Sequence, residues 1–164
     1  LNKGIYLEED LLNATPTNFS VGVAGYPEKH IEAPNLEADL HFLKKKIEAG
    51  AEYIITQMFF DNSKYFDFVN RCRAADIHVP IIPGLKPISA LSQLTNLPQT
   101  FNIDLPEPLV KELIKCKDNK QLREVGVEWA IVQSKELVNS NTPVIHFYTM
   151  GRADNIVKIA KAVF

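Results

Sequence analysis

Tyr53-Ile54-Ile55-Thr56-Gln57-Met58-Phe59-Phe60-Asp61 reads as a short β-strand, apolar and rich in β-branched and aromatic residues. Two uncharged polar residues, Thr56 and Gln57, interrupt it near its C-terminal end. A buried amide needs a hydrogen-bond partner, so either the fold or a ligand must satisfy Gln57. The stretch alone leaves both readings open.

The flanking sequence sets the strand in a repeating pattern. On its N-terminal side, Asn35 is placed to cap a helix in which Leu36, Leu40, Leu43 and Ile47 recur at helical spacing, and Gly50 ends it. Upstream of that helix, Phe19 to Pro27 reads as a strand, and residues 1–18 as a lead-in helix or loop containing Pro16. On the C-terminal side the pattern predicts a helix over Ser63–Ala75 and a strand over Val79–Leu85. A short helix from Pro87 to Leu94 follows, then one from Pro106 to near Cys116 and a longer one over Lys120–Val138. Val144–Thr149 reads as a fourth strand and Ala153–Val163 as a closing helix.

Alternating strands and helices with short apolar strands indicate an α/β protein with a parallel sheet covered on both faces. No Gly-rich phosphate fingerprint follows any strand, which argues against a Rossmann-type dinucleotide fold. Polar residues gather instead after the strands: Tyr26, Glu28 and His30; Thr56 and Gln57; Lys86 and Ser89; Tyr148, Thr149 and Arg152. A (β/α)8 TIM barrel keeps its chemistry at those strand ends, but it needs eight strands and roughly 250 residues. The expectation is therefore the C-terminal half of such a barrel, about four βα units, with the whole chain as one partial domain. Residue 1 is Leu rather than Met, which also leads us to expect a piece of something longer.

Composition narrows the function classes. The 164 residues are 46% apolar and 23% charged with a net charge of −2, and the longest basic run is Lys44-Lys45-Lys46. That argues against nucleic acid as a partner. No apolar stretch is long enough to span a bilayer. Cys72 and Cys116 are far apart and form no metal or redox motif, so we expect a reduced, cytoplasmic protein with no metal site.

Each candidate site residue has a plain alternative. Gln57 either meets the amide-like edge of a pterin, flavin or nicotinamide, or is a barrel-interior glutamine satisfied by a neighbour. Tyr26 and His30 either contact an aromatic cofactor or serve the local turn around Pro27. Asp39, Lys45 and Lys46 either hold phosphates or form a solvated helix face, and spacing favours the face. His146 reads as a core histidine satisfied by backbone, and Trp129 as core.

Four stretches in register resemble one family. They are Gly25-Tyr26-Pro27-Glu28-Lys29-His30 with Glu32-Ala33; Ala38-Asp39-Leu40 through Lys46, continuing through Ala49-Gly50-Ala51 and Ile55 to Asp61; Pro80-Ile81-Ile82-Pro83-Gly84; and His146-Phe147-Tyr148-Thr149 with Arg152. Together they are similar to the 5,10-methylenetetrahydrofolate reductases, flavoenzymes on a (β/α)8 barrel that serve one-carbon metabolism and methionine biosynthesis. The match covers nearly all of the chain from Phe19 on and corresponds to strands five to eight of that barrel.

The resemblance implies that FAD, reduced by NADH or NADPH, passes a hydride to methylenetetrahydrofolate. It implies FAD contacts at Tyr26, His30, Asp39, Lys45 and Lys46. It implies folate contacts at Gln57 and Gln93, and an Arg152 contact with the folate's glutamate tail, where a planar guanidinium suits a carboxylate. The family's general acid and the aspartate facing its flavin belong to earlier strands, so no catalytic residue is expected here and the isolated chain is expected to be inactive. Open sheet edges lead us to expect a homo-oligomer. Two alternatives remain: a non-catalytic binding module that kept the βα half, and another pterin-using TIM-barrel enzyme, for which a phosphate-binding loop is missing.

Overall fold

The computed structural model describes residues 2–7, 13–142 and 144–164. Its sheet has four parallel strands in the order β1 (Gly22–Gly25), β2 (Tyr53–Met58), β3 (Ile81–Leu85), β4 (His146–Phe147). Each strand lies beside its sequence neighbour, with no reversal of order of the kind that creates a doubly wound sheet. The described residues include six helices: α1 (Leu36–Glu48), α2 (Asn62–Ala74), α3 (Gln93–Phe101), α4 (Glu107–Ile114), α5 (Asn119–Asn139) and α6 (Asp154–Val163).

Side-chain caps start three of these helices, α1, α2 and α5. The Asn35 side chain accepts from the Ala38 amide, Asp61 from Ser63, and Asp118 from both Lys120 and Gln121. Each satisfies N–H groups that have no partner within the helix. Leu43 of α1 and Phe68 and Cys72 of α2 pack with Ile54 and Leu85 into one core cluster. Met58, Phe60, Ile88 and Leu97 form a second with the inner sides of α4 and α5. Val127, Ala130 and Ile159 join α5 to α6.

Buried amides tie α5 to the end of β2. The Asn62 side chain donates to the Gln133 carbonyl at 3.1 Å and to Glu136 Oε2 at 2.8 Å. Gln133 Nε2 returns a bond to Asn62 Oδ1 at 3.1 Å. Trp129 is therefore more than apolar filling, because its Nε1 donates to the Phe60 carbonyl at 3.0 Å. Gly126 permits the closest approach: a β-carbon there would overlap the Ile88 carbonyl.

Several boundaries differ from expectation. The first and fourth strands are shorter than Phe19–Pro27 and Val144–Thr149, since both sit at the sheet's edges and pair on one side only. The short helix does not run from Pro87 to Leu94. Lys86 to Ser89 form no regular structure, the Ser89 N–H is held by the Gln93 side chain at 2.8 Å, and α3 begins only at Gln93. It then continues through Pro98 to a left-handed Asn102, whose N–H bonds the Pro98 carbonyl. The described part of residues 1–18 is turn and irregular chain; residues 1 and 8–12 of the expected lead-in helix or loop lie outside the described residues.

Candidate functional site

The C-terminal end of β2 is bulged where Thr56 and Gln57 sit. Ile54 pairs with Ile81 and Ile55 with Ile82, but the next pair is Met58 with Gly84. One strand therefore uses three residues where its partner uses two, a device that redirects side chains at sheet edges and sites. Thr56 is 0% exposed and fully used by the fold. Its Oγ1 accepts from the Gly84 N–H at 2.9 Å, and its carbonyl accepts from the Tyr148 hydroxyl at 2.9 Å. Gln57 is half-buried. Its Oε1 accepts from the adjacent Met58 N–H at 3.0 Å, and its amide nitrogen donates to no described residue. The fold thus answers for Thr56 and leaves the donor side of Gln57 free for a ligand.

Tyr26 and Gln57 line one narrow, closed crevice, which Glu28 and Phe101 also line. The loop after β1 is held by its own contacts. The Tyr26 and His30 rings meet edge to face at 4.6 Å. The His30 N–H donates to Asp39 Oδ2 at 2.8 Å, and Glu32 N–H donates to His30 Nδ1 at 3.2 Å. Asp39 is therefore a loop anchor as well as part of α1, which corrects the reading of it as one charge on a solvated face. Burial, and secondarily the Asp39 charge, push the Tyr26 hydroxyl pKa up. Lys45 and Lys46 are exposed further along α1 and make no ion pair among the described residues. Lys45 instead lies 5.6 Å from the Phe42 ring centre. No hydrogen bond or ion pair between described residues joins these lysines to Tyr26, His30 or Asp39.

Glu28 links this loop to the segment between α3 and α4. Its side chain is 7% exposed, its Oε2 accepts from the Asp104 N–H at 3.0 Å, and Lys64 lies 3.8 Å away. Burial outweighs that cation and raises its pKa to about 7.

A second cleft, of about 100 Å³, opens between the exits of β3 and β4 and is lined by Lys86, Gln93, Arg123, Tyr148 and Arg152 among others. Gln93 spends its Oε1 on Ser89 and keeps its amide nitrogen available. Arg152 is exposed and follows a turn in which Met150 and Gly151 both have positive φ. Lys86 is only 7% exposed, and burial lowers its pKa.

Tyr148 connects the two clefts. It lines the second, bonds Thr56 beside the first, and has its own pKa raised by burial and then by Tyr26. His146 lies edge-on to it at 4.6 Å rather than serving as a backbone-bonded core histidine. The structure therefore brings Tyr26, His30 and Asp39 together, sets Gln57 beside Tyr26, and sets Gln93 beside Arg152. Tyr148 and Lys86 are the residues the sequence grouped at strand ends without giving them a role. No group of His, Cys, Asp and Glu among the described residues could hold a metal. No helix among them is long and apolar enough to cross a membrane.

The donor set bears on FAD, the cofactor that the resemblance implies. Two lysines without carboxylate partners among the described residues suit a diphosphate, and an edge-to-face Tyr–His pair suits a flat aromatic group. These residues fit part of such a cofactor.

A family model described as methylenetetrahydrofolate reductase matches residues 9–163. The 5,10-methylenetetrahydrofolate reductase of Escherichia coli is 38% identical over 138 residues, covering 84% of this chain and 47% of that protein. Methylenetetrahydrofolate reductase 2 of Saccharomyces cerevisiae is 39% identical over 138 residues, covering 82% and 23%. Methylenetetrahydrofolate reductase (NADH) 1 of Arabidopsis thaliana is 36% identical over 143 residues, covering 81% and 24%. The chain thus spans less than half the length of these relatives. A solved chain from Clostridium thermocellum, described as binding two copies of 5-methyl-5,6,7,8-tetrahydrofolic acid, superposes with a TM-score of 0.54 over 88% of this chain and 52% of its own. At 21% identity it shares the fold.

Proposed function

The chain belongs to the methylenetetrahydrofolate reductase family, and from that premise we propose that it forms the C-terminal half of a (β/α)8 barrel that reduces methylenetetrahydrofolate to 5-methyltetrahydrofolate. NADH or NADPH is the hydride donor and FAD the bound carrier. The observation that carries the reading is Gln57: a strand-end amide, redirected by a bulge, with its donor side unspent and Tyr26 beside it.

Within this reading each residue has a physical task. The Gln57 amide nitrogen donates to the pterin ring and orients it. Gln93 and Arg152 hold the distal part of the folate, and Arg152 meets a carboxylate. Tyr26 and His30 border the isoalloxazine, Asp39 fixes their loop, and Lys45 and Lys46 neutralise the diphosphate. When bound, the flavin supplies the hydride relay. The protonating group comes from strands outside this chain, so the chain alone is inactive. The unreversed strand order and the 47% coverage of the bacterial relative support the half-barrel assignment. Its open edges favour self-association.

The test is a flavin spectrum of the complete protein, followed by bleaching with NADH or NADPH and recovery on adding methylenetetrahydrofolate. Gln57→Ala should lower kcat/KM for the folate by about 10²-fold and leave the NAD(P)H bleaching step unchanged. A colourless protein, or a reduced flavin that the folate does not reoxidise, overturns the proposal.

A further inference from the structure

The cleft between the β3 and β4 exits contains a cation that the fold does not neutralise. Lys86 is 7% exposed, lines that cleft, and makes no hydrogen bond or ion pair with any described residue. A lysine this enclosed, whose ammonium has no protein partner, loses hydration that nothing in the fold replaces. Its side chain opens on the cleft, because the one fully buried, unpartnered side-chain polar atom among the described residues belongs to Arg71. Arg123 and Arg152 line the same cleft, against one carboxylate, Asp154. Gln93 adds an unspent amide N–H. Three cations and an amide donor facing one acid describe a site for an anionic group that arrives with the ligand.

We propose that Lys86 is a specificity-determining residue that pairs with a carboxylate of the folate's glutamyl tail, the second of the two that tail carries, Arg152 taking the first. This rests on the folate reading above and deepens it. Lys86 is the innermost of the three cations and the least hydrated, so its contact discriminates most sharply between ligands with and without the charge. Arg123 and Arg152 are exposed on the rim, where water screens them.

Pairing also couples binding to protons. The charged and titratable groups around Lys86 are Tyr148 at the β4 exit, Arg123 on α5, Arg152 and Asp154. In the free protein burial holds the Lys86 pKa below its ordinary value. A bound carboxylate raises it again, so binding takes up a proton between the two pKa values. Affinity falls as pH rises through that window.

The experiment measures binding of 5-methyltetrahydrofolate, and of the tail-less 5-methyltetrahydropteroate, to the complete protein and its Lys86→Met and Lys86→Arg variants. Lys86→Met should weaken the tailed ligand about tenfold, the loss of one charge-assisted contact, and leave the tail-less ligand within about twofold of wild type. Lys86→Arg should restore most of the affinity while removing the alkaline decline, because guanidinium does not titrate there. The unliganded Lys86→Met protein should melt no lower than wild type, since an unpaired buried charge has gone. Unchanged binding of the tailed ligand to Lys86→Met overturns the inference and leaves the folate reading standing. So does equal loss of both ligands, or a KM change confined to NADPH, which would assign Lys86 to a phosphate. Failure of the wild-type protein to bind either pterin overturns the inference together with the folate reading.

Discussion

The Tyr148 hydroxyl donates to the Thr56 carbonyl at 2.9 Å, across 92 residues of sequence. The bond spans β3, and Gly84 makes it possible. A β-carbon at Gly84 would overlap the Thr56 carbonyl and lie 2.7 Å from the Tyr148 ring. Three strands therefore converge on one point, and both candidate clefts are built around it.

Tyr148→Phe removes that bond and nothing else of similar size. The Thr56 carbonyl is then left short of a donor in a dry position. We expect a loss of about 1–2 kcal/mol in unfolding free energy. In urea titrations the midpoint should fall with the slope unchanged.

Gly84→Ala should be far more damaging. The added methyl meets backbone, which cannot rotate away, so the strands must part. About 3 kcal/mol or more is the expected loss. Gly50→Ala is the control: Gly50 has φ of +108° but nothing within 4 Å of the added carbon, so only backbone strain opposes it. Its melting point should fall much less.

Glu28 gives the fold a pH dependence of defined sign. Its folded pKa, about 7, lies above the ordinary value of 4.5 because burial disfavours the carboxylate. The folded state therefore binds the extra proton, and stability falls as pH rises through that interval, levelling off above about 7. Glu28→Gln keeps an acceptor for the Asp104 N–H and has no charge to bury. Its melting temperature should be flatter than that of wild type between pH 4.5 and 7, and a parallel decline in both proteins would refute the assignment.

The two cysteines should react very differently. Burial raises the Cys72 pKa to about 11, whereas Cys116 is half-exposed near the end of α4. Iodoacetamide near pH 8 should label Cys116 in the folded protein. Cys72 should be labelled only after denaturant is added.

The repeating units were legible because their signals are local. The Asn35 cap and the Leu36, Leu40, Leu43, Ile47 stripe specify α1 without help from the rest of the chain. The apolar run from Tyr53 likewise reads as a strand, which starts where expected but ends at Met58, because Asp61 already caps the next helix. The helix after β3 was misplaced because its start depends on a side chain four residues ahead. Gln93 captures the Ser89 N–H from outside the helix ladder, and the first helical turn lies past that segment. Proline positions alone carry no trace of that bond.

The opening stretch shows where sequence stops. By itself it determined a polar pair, Thr56 and Gln57, in an otherwise apolar strand, with an unmet need for hydrogen-bond partners. It also carried the motifs that place the chain in its family. Only the tertiary structure divided the pair. A bulge opposite Gly84 and a hydroxyl from Tyr148 consume Thr56 and leave the amide nitrogen of Gln57 open. The same is true of Lys86, an unremarkable lysine in sequence that becomes a buried, unpaired cation once β4 and α5 close around it. Hydrogen-bond need is a property of a residue type; its satisfaction depends on which distant backbone arrives beside it, and only packing decides that.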